Sequence, residues 1–167
     1  MLIVDETRNK LICKDILESL KSNRSPLLLT ERTEHLHIIA DLLADKVNNI
    51  VILKGGMSKK QKDNVAEQLK NIGKDEERII LATGRYIGEG FDDARLGTLF
   101  LALPISWKGT IQQYAGRLHR QYDGKKEVRI YDYLDEPVAM LVRMYKKRLL
   151  GYKSIGYEIV DFKTSTT

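Results

Sequence analysis

One segment of this 167-residue chain, residues 113–120, has residue types and a spacing that suit the chemistry of phosphate groups. On a helix, offsets of four and seven residues place Gln113, Arg117 and Arg120 on one face, and Gly116 leaves room for a close approach. Guanidinium groups stay charged and match phosphate oxygens, and an arginine directed at a transferring phosphoryl group is worth a rate factor of about 10³ to 10⁵. The pattern predicts a phosphate-contacting helix. For this segment taken alone, a surface helix that happens to carry two arginines is the alternative.

Helical and strand patterns alternate along the chain and would position this segment. Apolar residues at three- and four-residue intervals predict helices at Thr7–Leu20, from Leu36 to Val47, from a cap at Ser58 to Ile72, at Thr110–Gln121 and from Val138 to Leu149. Short apolar runs predict strands at Leu27–Thr30, Ile50–Leu53, Arg78–Ala82, Gly97–Leu103 and Val128–Tyr133, with a sixth at Ile155–Val160.

Unbroken apolar strands that alternate with helices are typical of a parallel sheet covered on both faces. The predicted fold class is therefore three-layer α/β/α with a mostly parallel central sheet of about six strands. In such a sheet ligands bind beyond the carboxyl ends of the strands. We expect the chemistry in the loops that follow the strands.

Several segments, taken in order, resemble the motifs of superfamily 2 helicases. Residues 27–32 resemble motif IV, residues 54–58 the glycine turn that follows it, residues 79–83 and 88–92 motif V, and residues 113–120 the Q-x-x-G-R-x-x-R motif VI. The chain is similar to the C-terminal RecA-like domain (helicase C-terminal domain) of a DEAD/DEAH-type helicase or a restriction-enzyme-like translocase. The resemblance implies one such domain over residues 1–163, followed by a flexible tail at 164–167.

This resemblance implies a role for each matching residue. Those at the phosphates of ATP would be Arg117, Arg120 and Gln113. Those binding the rest of the nucleotide would be Gly90, Asp92 and Glu89, with Asp92 on the ribose. Those meeting a nucleic-acid backbone would be Arg32, Gly55, Gly56 and Thr83. Motif VI begins with Gln rather than with the His-Arg of DEAD-box proteins, which favours DNA over RNA as the partner.

The sequence lacks the other half of an ATP site. The two Gly-Lys pairs, Gly73-Lys74 and Gly124-Lys125, have neither the earlier glycine nor the following Ser or Thr of a G-x-x-x-x-G-K-[ST] loop, and no acid box follows an apolar strand. The resemblance therefore implies that ATP and Mg²⁺ are bound mainly by an N-terminal RecA-like lobe of the same parent chain. The fragment alone is expected to be inactive as an ATP hydrolase.

Charge leaves a second class of function open. The net charge of +5 permits a polyanionic partner. Acid-free clusters of basic residues occur at 54–62 and at 143–153, the second containing Arg143, Lys146, Lys147, Arg148 and Lys153. The alternative is a stand-alone nucleic-acid-binding module without ATPase activity, although solvated helix faces explain each cluster more simply. A complete small nucleotide enzyme is disfavoured because no glycine-rich phosphate loop opens the first helix.

The remaining features bear on location and on metals. No apolar run approaches the roughly 20 residues that span a bilayer, and the first residues lack the pattern of a signal peptide, so a cytoplasmic location without a membrane partner is expected. Cys13, the single cysteine, shares helical spacing with Ile16 and is predicted to be a buried core thiol. His35 and His37 lie two apart, which disfavours a metal site, and His119 is expected to face solvent.

Overall fold

The helices of the chain begin and end close to where the apolar periodicity places them. The computed structural model describes residues 2–84, 86, 93–103, 112–135 and 138–161. A 3₁₀ turn at Leu2–Val4 precedes α1 (Glu6–Lys21), α2 (Thr33–Leu43), α3 (Lys59–Asn71), α4 (Gln112–Leu118) and α5 (Ala139–Ser154). None of the described helices is long and apolar enough to cross a membrane. The expected tail at 164–167 lies outside the described residues.

Five parallel strands form the central sheet. They are β1 (Pro26–Thr30), β2 (Ile50–Leu53), β3 (Ile79–Thr83), β4 (Thr98–Leu101) and β5 (Arg129–Asp132), in the order β2-β3-β1-β4-β5. The central strand β1 pairs on one side with β3 and on the other with β4, so that Leu28 lies between Leu81 and Phe100. All four strand pairs are parallel.

Side chains alternate between two cores, one on each face of the sheet. Leu28, Leu81 and Phe100 face the core built with α1 and α2. Their neighbours in sequence, such as Leu27 and Leu29, face the core that includes residues of α3, α4 and α5. The predicted three-layer α/β class is thereby confirmed, because these strands are buried on both faces.

The prediction of a sixth strand at 155–160 is wrong. In the part of the chain that the structure describes, these residues join no strand, and the N–H groups of Ile155 and Tyr157 both donate to the carbonyl of Tyr152 at 3.2 and 3.0 Å. Gly156, with φ of +93°, allows this reversal at the end of α5. The segment therefore folds back on the helix instead of extending along the sheet.

Local hydrogen bonds set the ends of two helices. The Ser58 hydroxyl accepts from the Gln61 N–H at 3.2 Å while the Gln61 side chain accepts from the Ser58 N–H at 2.9 Å, a capping box that starts α3 as predicted. The helix predicted to run to Val47 ends at Leu43, and the Lys46 N–H donates to the Leu43 carbonyl only three residues back, at 2.9 Å.

Candidate nucleotide and nucleic-acid interface

Helix α4 positions the first two residues of the candidate phosphate-binding set. Tyr114 and Leu118 are buried against the sheet, which leaves Gln113 exposed and Arg117 partly exposed on the other side. A Cβ atom built on Gly116 would meet no atom within 4 Å, so the space beside this face is open. An anion can approach the helix there.

Arg120 does not lie on that helix, and the prediction that it shares one helical face with Gln113 and Arg117 is wrong. The helix ends at Leu118, two residues earlier than Arg120. The N–H groups of His119 and Arg120 donate to carbonyls only three residues back, at 3.4 and 3.3 Å, as the last turn tightens. Arg120 is exposed and lies just beyond the end of the helix.

Lys125 connects Arg120 to a distant segment of the chain. Its Nζ donates to the carbonyl of Arg120 at 2.7 Å and to the carbonyl of Ala94 at 3.1 Å. Burial lowers the pKa of the Lys125 ammonium, and the carboxylate of Asp93 opposes that change. The sequence gives no signal for these contacts, because the pair Gly124-Lys125 resembles only a fragment of a phosphate loop.

Ion pairs and hydrogen bonds hold the segment 93–97, which enters β4. The Asp93 carboxylate accepts from the buried Arg78 guanidinium at 2.6 Å and from the Arg95 N–H at 3.0 Å. The Arg95 Nε donates to the Ser25 hydroxyl at 2.8 Å. The segment is thus fastened to residues that precede β3 and β1. The nucleotide-binding residues predicted just before it, Glu89, Gly90 and Asp92, lie outside the described residues.

These contacts place Arg120 and Lys125 near the amino ends of the strands. Gly97 is the residue before β4, and its carbonyl accepts from the N–H of Arg129, the first residue of β5, at 2.9 Å. A Cβ on Gly97 would lie 3.1 Å from the Cε atom of Lys125. These two residues therefore lie away from the loops beyond the carboxyl ends, where the chemistry is expected, because α4 returns antiparallel to the strands and ends at their opposite side.

The carboxyl ends of β2 and β3 bring together two residues predicted to meet nucleic acid. The N–H of Gly55 donates to the hydroxyl of Thr83 at 3.1 Å. Thr83 is buried, so its hydroxyl holds the glycine turn from the interior side. Gly56 adopts φ of +81° and is exposed at the surface of that turn, a conformation that favours glycine.

Arg32 lies at the carboxyl end of β1, above a buried polar chain. Its side chain is exposed, 3.9 Å from the carboxylate of Glu34. Beneath it the N–H of Arg32 approaches the hydroxyl of Thr30 at 3.5 Å, and that hydroxyl bonds Nδ1 of His35 at 3.2 Å. His35 Nε2 bonds Oδ1 of Asn9 in α1 at 2.8 Å. Burial and the nearby Arg8 charge lower the pKa of His35 to about 4.

The basic cluster at 143–153 does not form one solvated surface. Arg148 is 2% exposed, and its Nε and Nη2 donate to the Asp132 carboxylate at 2.7 and 2.8 Å, while the Tyr152 hydroxyl donates to the same carboxylate at 2.8 Å. The acid that pairs with Arg148 comes from β5, outside the cluster. Sequence reasoning could not find it because the two residues lie on different elements.

Two further expectations concern single side chains. His119 is exposed, as expected, but its Nε2 also lies within hydrogen-bond distance of the Tyr157 hydroxyl, at 2.8 Å. Cys13 is buried as predicted, and burial raises its pKa to about 11. Within the described ranges, no group of three His, Cys, Asp or Glu side chains is arranged to hold a metal ion.

Curated relatives of the chain are poxvirus proteins. Transcript termination protein A18 of fowlpox virus is 26% identical over 166 residues, which cover 93% of this chain and 35% of the relative. Transcript termination protein A18 of vaccinia virus (strain Ankara) is 29% identical over 124 residues, covering 72% and 24% of the two chains. The variola virus protein OPG145, also a transcript termination protein, is 28% identical over 123 residues with the same two coverages, 72% and 24%. The chain thus spans only 24% to 35% of these relatives. No protein-family profile matches it.

Solved structures share the fold. The chain matches T4 UvsW with a TM-score of 0.67 at 20% identity, over 88% of this chain and 32% of that one. It matches the C-terminal part of the Fun30 ATPase domain with a TM-score of 0.69 at 16% identity, over 87% and 46%. The Sulfolobus solfataricus SWI2/SNF2 ATPase core domain gives a TM-score of 0.58 at 18% identity, over 89% and 29%. At these identities the matches show the fold alone, and they confirm the predicted RecA-like α/β/α fold.

Proposed function

We propose that the chain is the C-terminal motor lobe of an ATP-dependent superfamily 2 helicase or translocase, and that its partner lobe holds the nucleotide. The observation that carries the proposal is that motif-like segments IV to VI occur in order on a RecA-like fold shared with the C-terminal part of an ATPase domain. The relatives named as transcript termination proteins are longer than this chain, which leaves room for a second lobe in a parent protein. DNA is the proposed nucleic acid and the cytoplasm the proposed location.

The nucleotide side of the lobe is the surface at Gln113, Arg117 and Arg120. Both guanidiniums are accessible, and the open space beside Gly116 fits an approaching phosphate. When bound between the lobes, ATP with Mg²⁺ supplies the phosphoryl group whose transfer drives the motor. Arg117 and Arg120 would offset the charge that develops on the transferring group, and Gly90, Asp92 and Glu89 are assigned to the rest of the nucleotide.

The nucleic-acid side is the carboxyl edge of the sheet. The exposed guanidinium of Arg32 suits a phosphate, and the exposed Gly56 permits close approach of a backbone. Thr83 acts here through Gly55, whose N–H it holds, rather than by a direct contact. Contacts of this kind are independent of base sequence and weaken with salt.

The arrangement gives a physical account of the motor cycle. Arg117 and Arg120 contact phosphates only while ATP bridges the two lobes, so the closed state is favoured by differential contact. When hydrolysis removes those partners, the lobes separate and the hold of Arg32 on nucleic acid changes relative to that of the other lobe. One lobe alone has no such cycle.

The test is Arg120→Ala in the intact protein that contains this chain. We expect nucleic-acid-stimulated ATP hydrolysis to fall by roughly 10³-fold, since an arginine directed at a transferring phosphoryl group contributes about that factor. Arg120→Lys should recover little, because an ammonium lacks the planar fork. Lys10→Ala removes one exposed positive charge from α1, on the other face of the sheet, and should leave turnover unchanged. Wild-type turnover in Arg120→Ala would refute the assignment.

A further inference from the structure

The contacts of Lys125 join the two parts of the chain to which nucleotide binding is assigned. Its ammonium bonds the carbonyl of Arg120, at the end of motif VI, at 2.7 Å, and the carbonyl of Ala94, two residues after Asp92, at 3.1 Å. The aliphatic stem passes over Gly97, where a Cβ would come within 3.1 Å of Cε. A side chain at position 97 would therefore compete with the stem for this space.

The two segments differ in what else holds them. Asp93 and Arg95 are fastened to residues at the amino ends of β3 and β1 by contacts of 2.6 and 2.8 Å. Arg120 follows the end of α4, and its N–H donates to the Arg117 carbonyl only three residues back, at 3.3 Å. Lys125 therefore connects a segment anchored to the sheet with one that has left its helix. Hydrogen bonds from an ammonium are stronger than neutral ones.

We propose that Lys125 is a positioning residue for the nucleotide site: it fixes the backbone of Arg120 relative to the segment that follows Asp92. The phosphate contact assigned to Arg120 and the ribose contact assigned to Asp92 then keep a constant relative position. The inference rests on the proposed function for its consequence in ATP hydrolysis. The connection that Lys125 makes between the carbonyls of Arg120 and Ala94 is a property of this chain alone.

Amide hydrogen exchange of the 167-residue chain tests the connection through Lys125 directly. Lys125→Met keeps the stem over Gly97 and removes the ammonium. The amides of Leu96 and Arg120 should exchange roughly tenfold faster, because charge-assisted bonds that restrain both segments are lost, while amides in β1 keep their rates. Lys126→Met, the same change at the exposed neighbouring residue, is the matched control and should exchange like the wild type. Equal exchange at Leu96 and Arg120 in all three proteins would overturn the proposal.

A chemical rescue separates the ammonium from general damage to the fold. Lys125→Cys, treated with bromoethylamine in the folded state, regains an ammonium on a stem of lysine length. Cys13 should not react, because it is buried and its pKa is raised to about 11. Restored protection at Arg120 supports the proposal, and protection that stays low after complete modification contradicts it. If Lys125→Met does not fold, Lys125→Gln replaces it in the same comparison.

The consequence for catalysis is measured in the intact protein. Lys125→Met should lower kcat roughly tenfold through Arg120 and raise KM for ATP through the ribose contact, whereas Arg120→Ala should act mainly on kcat. In the double variant the added loss of kcat should be small, because both changes act through the same guanidinium. If Arg120→Ala alone is without effect, the proposed function fails, while the exchange result still shows whether Lys125 restrains the two segments. If Arg120→Ala abolishes turnover and Lys125→Met leaves both constants unchanged, only this inference fails.

Discussion

His35 is completely buried where β1 ends, and its hydrogen bonds define its protonation state. The Nδ2 of Asn9 donates to the carbonyl of Ile3 at 2.9 Å, which leaves Asn9 Oδ1 to accept from His35 Nε2 at 2.8 Å. Nδ1 then accepts from the Thr30 hydroxyl at 3.2 Å. The neutral ring satisfies every partner in this chain, whereas a proton on Nδ1 would require the Thr30 hydroxyl to accept instead of donate. Burial and the Arg8 charge act in the same direction on its pKa.

This environment predicts a loss of stability in mild acid. The folded pKa of His35 is about 4, below the ordinary value of 6.5. Between these two pH values the unfolded chain binds the proton in preference to the folded chain. The stabilising contribution of His35 is therefore complete above pH 6.5 and declines as the pH falls towards 4. Between pH 7 and pH 5 the free energy of unfolding should fall by about 2 kcal/mol on this account, measured by urea denaturation at each pH.

The neighbouring histidine provides the control. His37 lies exposed on the same helix, so His37→Gln should keep the wild-type dependence on pH. His35→Gln should lose that component between pH 7 and pH 5, and at pH 7 it should be less stable by about 1 to 3 kcal/mol, because Asn9 and Thr30 lose well-placed partners. An identical pH profile for His35→Gln and the wild type would contradict the linkage.

At the scale of elements, hydrophobic pattern is enough to locate the strands and most of the helices. β1 and β3 are continuous apolar runs because both of their faces are covered, and such runs are visible in the sequence. The end of α4 was harder to predict from the sequence. Its apolar spacing continues past Leu118, but the chain turns at Tyr122–Lys125 around Gly124, whose φ is +82°. The tie from Lys125 to Ala94 depends on contacts between remote residues and leaves no periodic pattern.

Helix α5 shows how one buried ion pair can fasten an element that pattern alone describes poorly. The Arg148 guanidinium joins the helix to Asp132 at the end of β5, and Tyr145 lies with its ring centroid 5.8 Å from the guanidinium carbon. Arg148→Met should lower the free energy of unfolding by about 3 to 5 kcal/mol, because it leaves the Asp132 carboxylate buried without its cation. Urea denaturation with an unchanged m-value is the measurement.

The adjacent lysine makes the comparison specific to the ion pair. Lys147→Met removes the same charge from an exposed position of the same helix and should change stability by no more than about 0.5 kcal/mol. Similar losses in the two variants would mean that Arg148 acts as part of a solvated basic surface, as its place in the sequence suggested.

At the scale of the whole molecule, the candidate residues divide between two ends of the sheet. Arg32 and Gly56 lie at the carboxyl ends of the strands, whereas Arg120 and Lys125 lie near their amino ends. The parallel sheet separates the two surfaces by the length of its strands. The order of the motif-like segments in the sequence predicts which residues belong to each surface, but it does not show that Arg120 lies beyond the end of α4, near the amino ends of the strands.

This division predicts how the 167-residue chain behaves by itself. It should show no ATP turnover above background, because its guanidiniums lack the lysine and acid of the other lobe. It should bind single-stranded DNA weakly and independently of sequence, with log affinity falling against log salt by about 0.7 per phosphate that Lys or Arg neutralises. Arg32→Ala should reduce that slope by about 0.7, and Lys10→Ala should not, as measured by fluorescence anisotropy at several salt concentrations. Tight binding that is unaffected by Arg32→Ala would favour a stand-alone binding module, and measurable turnover would indicate a complete enzyme, because a single lobe provides only half of the charges that phosphoryl transfer needs.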